Sequence, residues 1–380
     1  MKSIFYPFFL INLLFSCDEN VAQNTPDVLE ESSKEKQVIT LSDFLSENKI
    51  LDAAVENIFD ALSEKEKIAQ LIMPAMGEHG QPTEVIDELV KDGLIGGILL
   101  LNGTKEEFTG WVKKYNSWND SLGHLPFLYS ADAEPSLINR KIKNTIPVKN
   151  ANKMETIEEV KSVAKSISKE LLDIGINYNF APVVDMSPNK TVGWRSFGHQ
   201  PDSVIPWSNT FIKVLQDNNI IATAKHFPGH GYVEGDTHKK LVYIEGEMKE
   251  VKNYPPLIEN GLLSIMIAHI AVTNNEHYST DGMPATTSRK IITQLLRDSL
   301  NFEGLIITDA LNMGGVKNIP NADLLAIEAG CDILLMPLDA RKAHKTLIEN
   351  YQQKESLKKQ IDASVKKIIR MKICLGIIDS

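Results

Sequence analysis

Lys225, His226, His230, Glu234, Asp236 and His238 set six ionisable side chains into the fifteen residues 224–238. The apolar run Ile220–Ala224 leads into them, and glycines at 229, 231 and 235 leave the backbone free to take positive φ and to move. That composition belongs to a catalytic loop. Asp236, two residues before His238, can hold one ring N–H of the imidazole and leave the other nitrogen to exchange a proton near neutral pH. A second candidate is Asp309, which closes the apolar stretch Gly304–Thr308. Read alone, an aspartate in that place is either a rigidly held nucleophile or the N-cap of a following helix.

Elements able to bring these residues together follow from the apolar pattern. Eight short apolar runs recur, at residues 68–76, 95–101, 125–130, 176–184, 220–224, 262–268, 305–308 and 332–336. Most are separated by segments of helical period, such as Val160, Val163, Ala164, Ile167 and Leu171. Strands alternating with amphipathic helices predict an α/β fold with a parallel sheet, here a single (β/α)8 barrel, with a doubly wound open sheet as the competing arrangement. Several runs end on polar residues: Asp132 and Glu134, Asp185, Lys225 and His226, His269, and Asp309. In a barrel these ends share the C-terminal rim, where active sites form. Ser63-Glu64-Lys65-Glu66 has capping-box spacing, so helix and strand compete over residues 63–72. Leu357, Ile361, Val365, Ile368 and Ile369 mark one face of a terminal helix.

The stretch Lys225-His226-Phe227-Pro228-Gly229-His230-Gly231, four spacer residues, then Asp236-Thr237-His238, resembles the loop of bacterial β-N-acetylglucosaminidases of glycoside hydrolase family 3. The resemblance runs over roughly residues 50–380. It implies that Asp309, in Thr308-Asp309-Ala310-Leu311-Asn312-Met313, is the nucleophile of a retaining hydrolysis, with His238 as proton donor and Asp236 holding its ring. It implies sugar binding by Lys225 and His226, by Arg195 within Gly193-Trp194-Arg195-Ser196-Phe197-Gly198, and by Asp132 and Arg140. The implied substrate is a β-linked N-acetylglucosamine at the nonreducing end of a peptidoglycan or chitin fragment, with no cofactor and no metal. Where the family has a Gly-Gly pair after its acidic residues, this chain has Pro135-Ser136, and the preceding glutamine and following arginine are Ala133 and Leu137. The aspartate after the Ser-Phe-Gly motif is Gln200. His230 either shapes the loop or joins the site, and His269 is a rim residue or a satisfied core histidine.

At 380 residues with 43% hydrophobic content the chain can bury a sizeable core, and a net charge of −10 without a basic patch argues against nucleic acid as partner. Residues 4–15 form an apolar segment behind Lys2, too short to span a bilayer and laid out as a signal peptide. Leu14-Phe15-Ser16-Cys17 resembles a bacterial lipobox, which implies acylation at Cys17, a lipid anchor as the sole membrane contact, and an exported monomer; an ordinary cleaved signal is the alternative. Residues 18–46 are expected to form a polar tether and 47–380 the catalytic barrel. Cys331 and Cys374 are expected to be buried and unbridged. Two rival functions remain: a metal-dependent hydrolase using His226, His230, Asp236 and His238 as ligands, and a sugar-binding lipoprotein with impaired catalysis.

Overall fold

The computed structural model describes residues 39–186, 189 and 192–379. The expected signal segment, Cys17 and the expected tether up to residue 38 lie outside them. Nine short strands carry the site: β1 Ile72–Met73, β2 Ala75–Met76, β3 Gly97–Leu100, β4 Leu128–Ala131, β5 Tyr178–Asn179, β6 Ile221–Phe227, β7 Ser264–Ile267, β8 Leu305–Thr308 and β9 Leu334–Leu335. Each apolar run of the sequence coincides at least in part with one of them, and the first contains two, interrupted at Pro74.

Strands β2 to β8 form one parallel sheet in which every neighbour in space is the neighbour in sequence. Strand β9 pairs in parallel with β1, matching Ile72 to Leu334, and Ile333 bridges to Ile307 of β8. The molecule is thus an α/β fold with a curled parallel sheet. A doubly wound sheet would reverse its strand order at a switch point, and this order does not reverse, so the competing arrangement is set aside.

The strands read as continuous apolar runs because residues on both faces of the sheet are buried. The helix Glu64–Ala69 takes the first part of the first run: Ser63 Oγ accepts from Glu66 N while Ser63 N donates back to the Glu66 carboxylate at 2.8 Å. The terminal helix Glu355–Cys374 buries Leu357, Ile361, Val365, Ile368 and Ile369 as the spacing predicts. It also buries Lys372, whose Nζ donates to Gln70 Oε1 at 2.7 Å and to Gly96 O at 3.2 Å. Cys331 and Cys374 are buried free thiols. Among the described residues no helix is long and apolar enough to cross a membrane.

The body begins earlier than expected. Leu41 and Phe44 are buried, and Arg370 donates from Nε to Phe44 O at 2.7 Å and from Nη2 to Asp43 O at 3.3 Å. Residues 39–46, expected as the end of the tether, therefore pack onto the folded unit. Two apolar side chains spaced three apart suffice to dock them, and that signal was hidden among polar neighbours.

Candidate active site

Asp309 directly follows β8, whose four residues are all buried. Its N–H donates to Ile267 O at 2.9 Å, and its Oδ1 accepts the Ala310 N–H at 2.8 Å, so backbone on both sides fixes the carboxylate. Burial opposes ionisation, but His269, His226 and the Ala310 N–H together hold this carboxyl below its ordinary value. His269 lies fully buried beside it. Its Nε2 donates to Ala310 O at 2.9 Å and its Nδ1 meets Thr286 Oγ1 at 2.7 Å, while burial pushes its pKa down. Thr286 Oγ1 also donates to Ala268 O at 2.9 Å, so the ring and the hydroxyl are tied into one buried network with the backbone. His269 is thus a satisfied buried histidine that supports the backbone next to Asp309.

Facing it stands a charge cluster. Lys225, 1% exposed, donates from Nζ to Asp132 Oδ1 at 2.9 Å and approaches Glu134 Oε2 at 3.1 Å. Arg195 grips the same Glu134 carboxylate through Nε and Nη2. Two buried cations and two carboxylates neutralise each other, which is how so much charge persists away from water. Burial would raise Asp132, but Lys225, Lys141 and Arg195 outweigh it and keep the carboxyl ionised far below its ordinary range. Asp132 stays partly open to the cavity, whereas Glu134 is sealed. Glu134 was expected only as one of the strand-end charges on the functional rim; its partners are Lys225 and Arg195, which it holds in place.

Pro135-Ser136 proves to be built in. Ser136 Oγ donates to Trp194 O at 2.9 Å and accepts the Ala151 N–H at 3.0 Å, while Asn179 at the end of β5 brackets Ala133 through both its amide atoms. The segment carrying Asp132 is tied to the one carrying Arg195 by bonds that a Gly-Gly pair has no side chain to make.

At the end of the fourth run, Asp185 is buried and accepts His226 Nδ1–H at 2.6 Å, with its other oxygen taking the His226 N–H at 3.2 Å and the His230 N–H at 2.8 Å. His226 therefore presents Nε2 to the cavity. Burial raises Asp185, but His226 and His230 draw it down, so it acts as an acceptor. Asp185 was another strand-end charge whose partners sequence did not reveal.

His238 Nδ1 donates to Asp236 Oδ1 at 2.8 Å, and its own N–H reaches the same oxygen at 3.0 Å. The imidazole is 63% exposed at the cavity mouth and its Nε2 makes no hydrogen bond among the described residues. Burial raises Asp236, but the two bonds from His238 together with the charges of His238 and Lys239 outweigh it and hold the carboxyl below its ordinary value. The loop is less free than its glycines suggested. Thr237 is buried with Oγ1 3.1 Å from His230 Nε2, and the carbonyls of Thr237 and His238 accept from Gly315 N and Gly314 N, both at 3.0 Å. A Cβ at Gly314 would come within 2.2 Å of Lys239 O, so this docking requires glycine.

All these parts meet at one cavity of about 260 Å³, lined by Asp132, Arg195, Lys225, His226, His230, His238 and Asp309 among others. Asp236 stands behind His238. Arg140 is a correction: it lies exposed over the Trp194 ring, 5.8 Å from its centroid, while Lys141 takes the place at the cavity wall. The short helix Ile138–Lys141 turns about 100° per residue, so one position decides which side chain faces inward. His226, His230, Asp236 and His238 do not converge: among the described residues no three such side chains form a metal-holding group.

Residues 63–371 match the glycosyl hydrolase family 3 N terminal domain. The β-hexosaminidase of Actinobacillus pleuropneumoniae serotype 5b is 32% identical over 270 residues, 66% of this chain and 76% of that protein. That of Hydrogenovibrio crunogenus is 29% identical over 286 residues, 70% of this chain and 78% of that protein. The family 3 β-N-acetylglucosaminidase of Paenibacillus sp. str. FPU-7 superposes with a TM-score of 0.75 at 26% identity, over 83% of this chain, which spans 63% of that one. With strand-end carboxylates, a buried Lys–Arg cluster and an Asp–His pair around one cavity, the chain belongs to glycosyl hydrolase family 3 and is a glycoside hydrolase of the β-N-acetylhexosaminidase kind.

Proposed function

We propose that the protein is a retaining exo-β-N-acetylglucosaminidase acting on nonreducing-end N-acetylglucosamine of peptidoglycan or chitin fragments. The observation that carries this reading is the meeting of Asp309 and His238, from separate segments, at a single cavity of about 260 Å³, a space suited to one sugar unit. In the first step an Asp309 oxygen attacks the anomeric carbon as the bond to the aglycone oxygen breaks, and that oxygen takes the proton from His238 Nε2. In the second, water attacks the same carbon, His238 Nε2 takes its proton, and Asp309 leaves as carboxylate. Asp236 stabilises the imidazolium formed in the return step. Asp132, Lys225, His226 and Arg195 offer hydroxyl-binding donors and acceptors, and Lys141 joins them.

The scaffold reading is a single closed (β/α)8 barrel, supported by the pairing of β9 with β1 and its bridge to β8. We further infer an exported protein held to a bacterial membrane by a lipid on Cys17, on the strength of the apolar segment 4–15 and the Leu14–Cys17 stretch.

The test compares chromogenic N-acetylglucosaminide with glucoside, then quenches turnover of a slowly released substrate for mass spectrometry. A hexosamine adduct on the peptide containing Asp309, absent in Asp309→Asn, supports the mechanism. Binding without turnover of any N-acetylglucosaminide refutes the enzymatic reading in favour of a sugar-binding protein, and turnover without an adduct on that peptide removes Asp309 as nucleophile.

A further inference from the structure

Glu250 is 3% exposed and belongs to none of the groups that face the cavity. It precedes the short helical turn Val251–Asn253, yet its carboxylate reaches back to two other segments. One oxygen accepts the N–H of Met186, the residue after Asp185, and the other accepts the Gly231 N–H at 2.8 Å. Asn253 strengthens the same attachment by donating to Val184 O at 3.0 Å.

Two of the loop's three glycines, Gly229 and Gly231, lie against this carboxylate. A Cβ at Gly229 would lie 2.5 Å from Glu250 Oε2, and one at Gly231 would lie 2.5 Å from Oε1 and 1.7 Å from Met186 O. Backbone and carboxylate thus approach as closely as side-chain-free residues allow. Burial and then the neighbouring Asp185 push the Glu250 carboxyl up to about 8, while the N–H groups of Met186, Gly231 and Tyr232 pull it down. A carboxyl in so dry a place depends on those N–H groups.

From Gly231 the contact passes along the loop. His230, next to it, is held by Asp185 at its N–H and touches Thr237 Oγ1 with Nε2, and Thr237 separates Asp236 from His238. We propose that Glu250 is the positioning residue of the acid/base loop, clasping its entry to the residues just after the fourth apolar run so that His238 keeps its place over Asp309. The proposal rests on His238 being the proton donor. Glu250 touches no substrate; it acts through the backbone of residues 229–232.

Glu250→Gln replaces one accepting oxygen with an amide N–H that opposes the backbone donors, at nearly constant volume. In the full chain it is expected to lower kcat on an N-acetylglucosaminide with a poor leaving group on the order of 10- to 100-fold, the cost of misplacing a catalytic group. An activated aryl substrate should lose less than about 3-fold, because it needs little proton donation. In the His238→Ala background the same substitution should add no further loss. Hydrogen exchange followed by mass spectrometry should quicken over residues 228–238 and stay unchanged in the terminal helix. Equal losses on both substrates, multiplicative losses in the double variant, or unaltered exchange over 228–238 each overturn the proposal.

Exchange is read without turnover, so it judges Glu250 even if His238 fails as donor. That separate failure shows as equal losses on both leaving groups in His238→Ala alone. Should Glu250→Gln not fold, Glu250→Asp keeps the carboxyl but withdraws it by one methylene. It is expected to give intermediate exchange and an intermediate leaving-group effect, and wild-type values for both refute the clasp.

Discussion

Lys372→Met is expected to stabilise the protein at neutral pH and to lose that advantage as the solution becomes basic. Burial alone pushes the Lys372 ammonium down to about 7 from an ordinary 10.5. Below pH 7 both states carry the proton, and the folded state bears the full cost of a buried charge. Between pH 7 and 10.5 the unfolded chain still holds a proton that the folded chain has released, so stability rises with pH, by up to about 1.4 kcal/mol per unit. The displacement from 10.5 to about 7 corresponds to roughly 5 kcal/mol as an upper bound. Methionine fills a similar volume without charge but leaves Gln70 Oε1 unpartnered, at about 1–3 kcal/mol. Gly96 O keeps the Leu128 N–H at 3.2 Å, so it adds no second penalty. The net expectation at pH 7 is a gain of about 2–4 kcal/mol. It should vanish or reverse near pH 10, where the wild-type lysine is neutral in the folded state. Urea denaturation of both proteins at half-unit steps from pH 6.5 to 10 measures the difference, in which other titrating groups cancel. A difference independent of pH refutes the reasoning, whatever its sign.

Lys225→Met should cost about 3–5 kcal/mol in denaturant midpoint analysis and raise KM sharply, since it leaves Glu134 to Arg195 and Asp132 to the more distant Lys141 and Arg195; unchanged stability would show that the cluster is solvated. Arg140→Ala should leave KM within about 2-fold, whereas Lys141→Ala should raise it about 5-fold or more. The reverse ranking in steady-state kinetics would return Arg140 to the site. Full activity is expected after dialysis against EDTA, because each proposed role is filled by a side chain; loss that zinc restores would revive the metal-dependent reading.

Much of this architecture is legible in the chain because strands buried on both faces need uninterrupted apolar residues, and the runs ending in Asp132, Asp185, Lys225, His269 and Asp309 announce both the sheet and its functional edge. The capping box at Ser63 and the face of the terminal helix are local patterns and appear where expected. What stays hidden depends on rotation or on distance. Arg140 and Lys141 differ by one helical step, and no periodicity resolves which faces the cavity. Glu250 lies 19 residues beyond Gly231, and Asp185 lies 41 before His226. Their roles exist only after the strand ends meet. Leu41 and Phe44 escaped notice because docking a short segment takes two apolar contacts, too few to form a pattern.

The docking of Thr237 and His238 on Gly314 and Gly315 has a consequence for anyone hoping to move this chemistry elsewhere. The segment with the proton-exchanging ring and the segment after Asp309 share a seam of backbone bonds, and that seam leaves no room for a Cβ on Gly314. The transferable module is therefore larger than the fifteen residues that contain the histidines. A graft of 224–238 onto another scaffold brings the reactive groups but leaves behind the surface that fits them. Recombination between relatives is expected to tolerate exchange of 224–240 and 309–316 as a pair and to reject either alone. Shuffled libraries scored for folding and turnover would reveal the two segments travelling together.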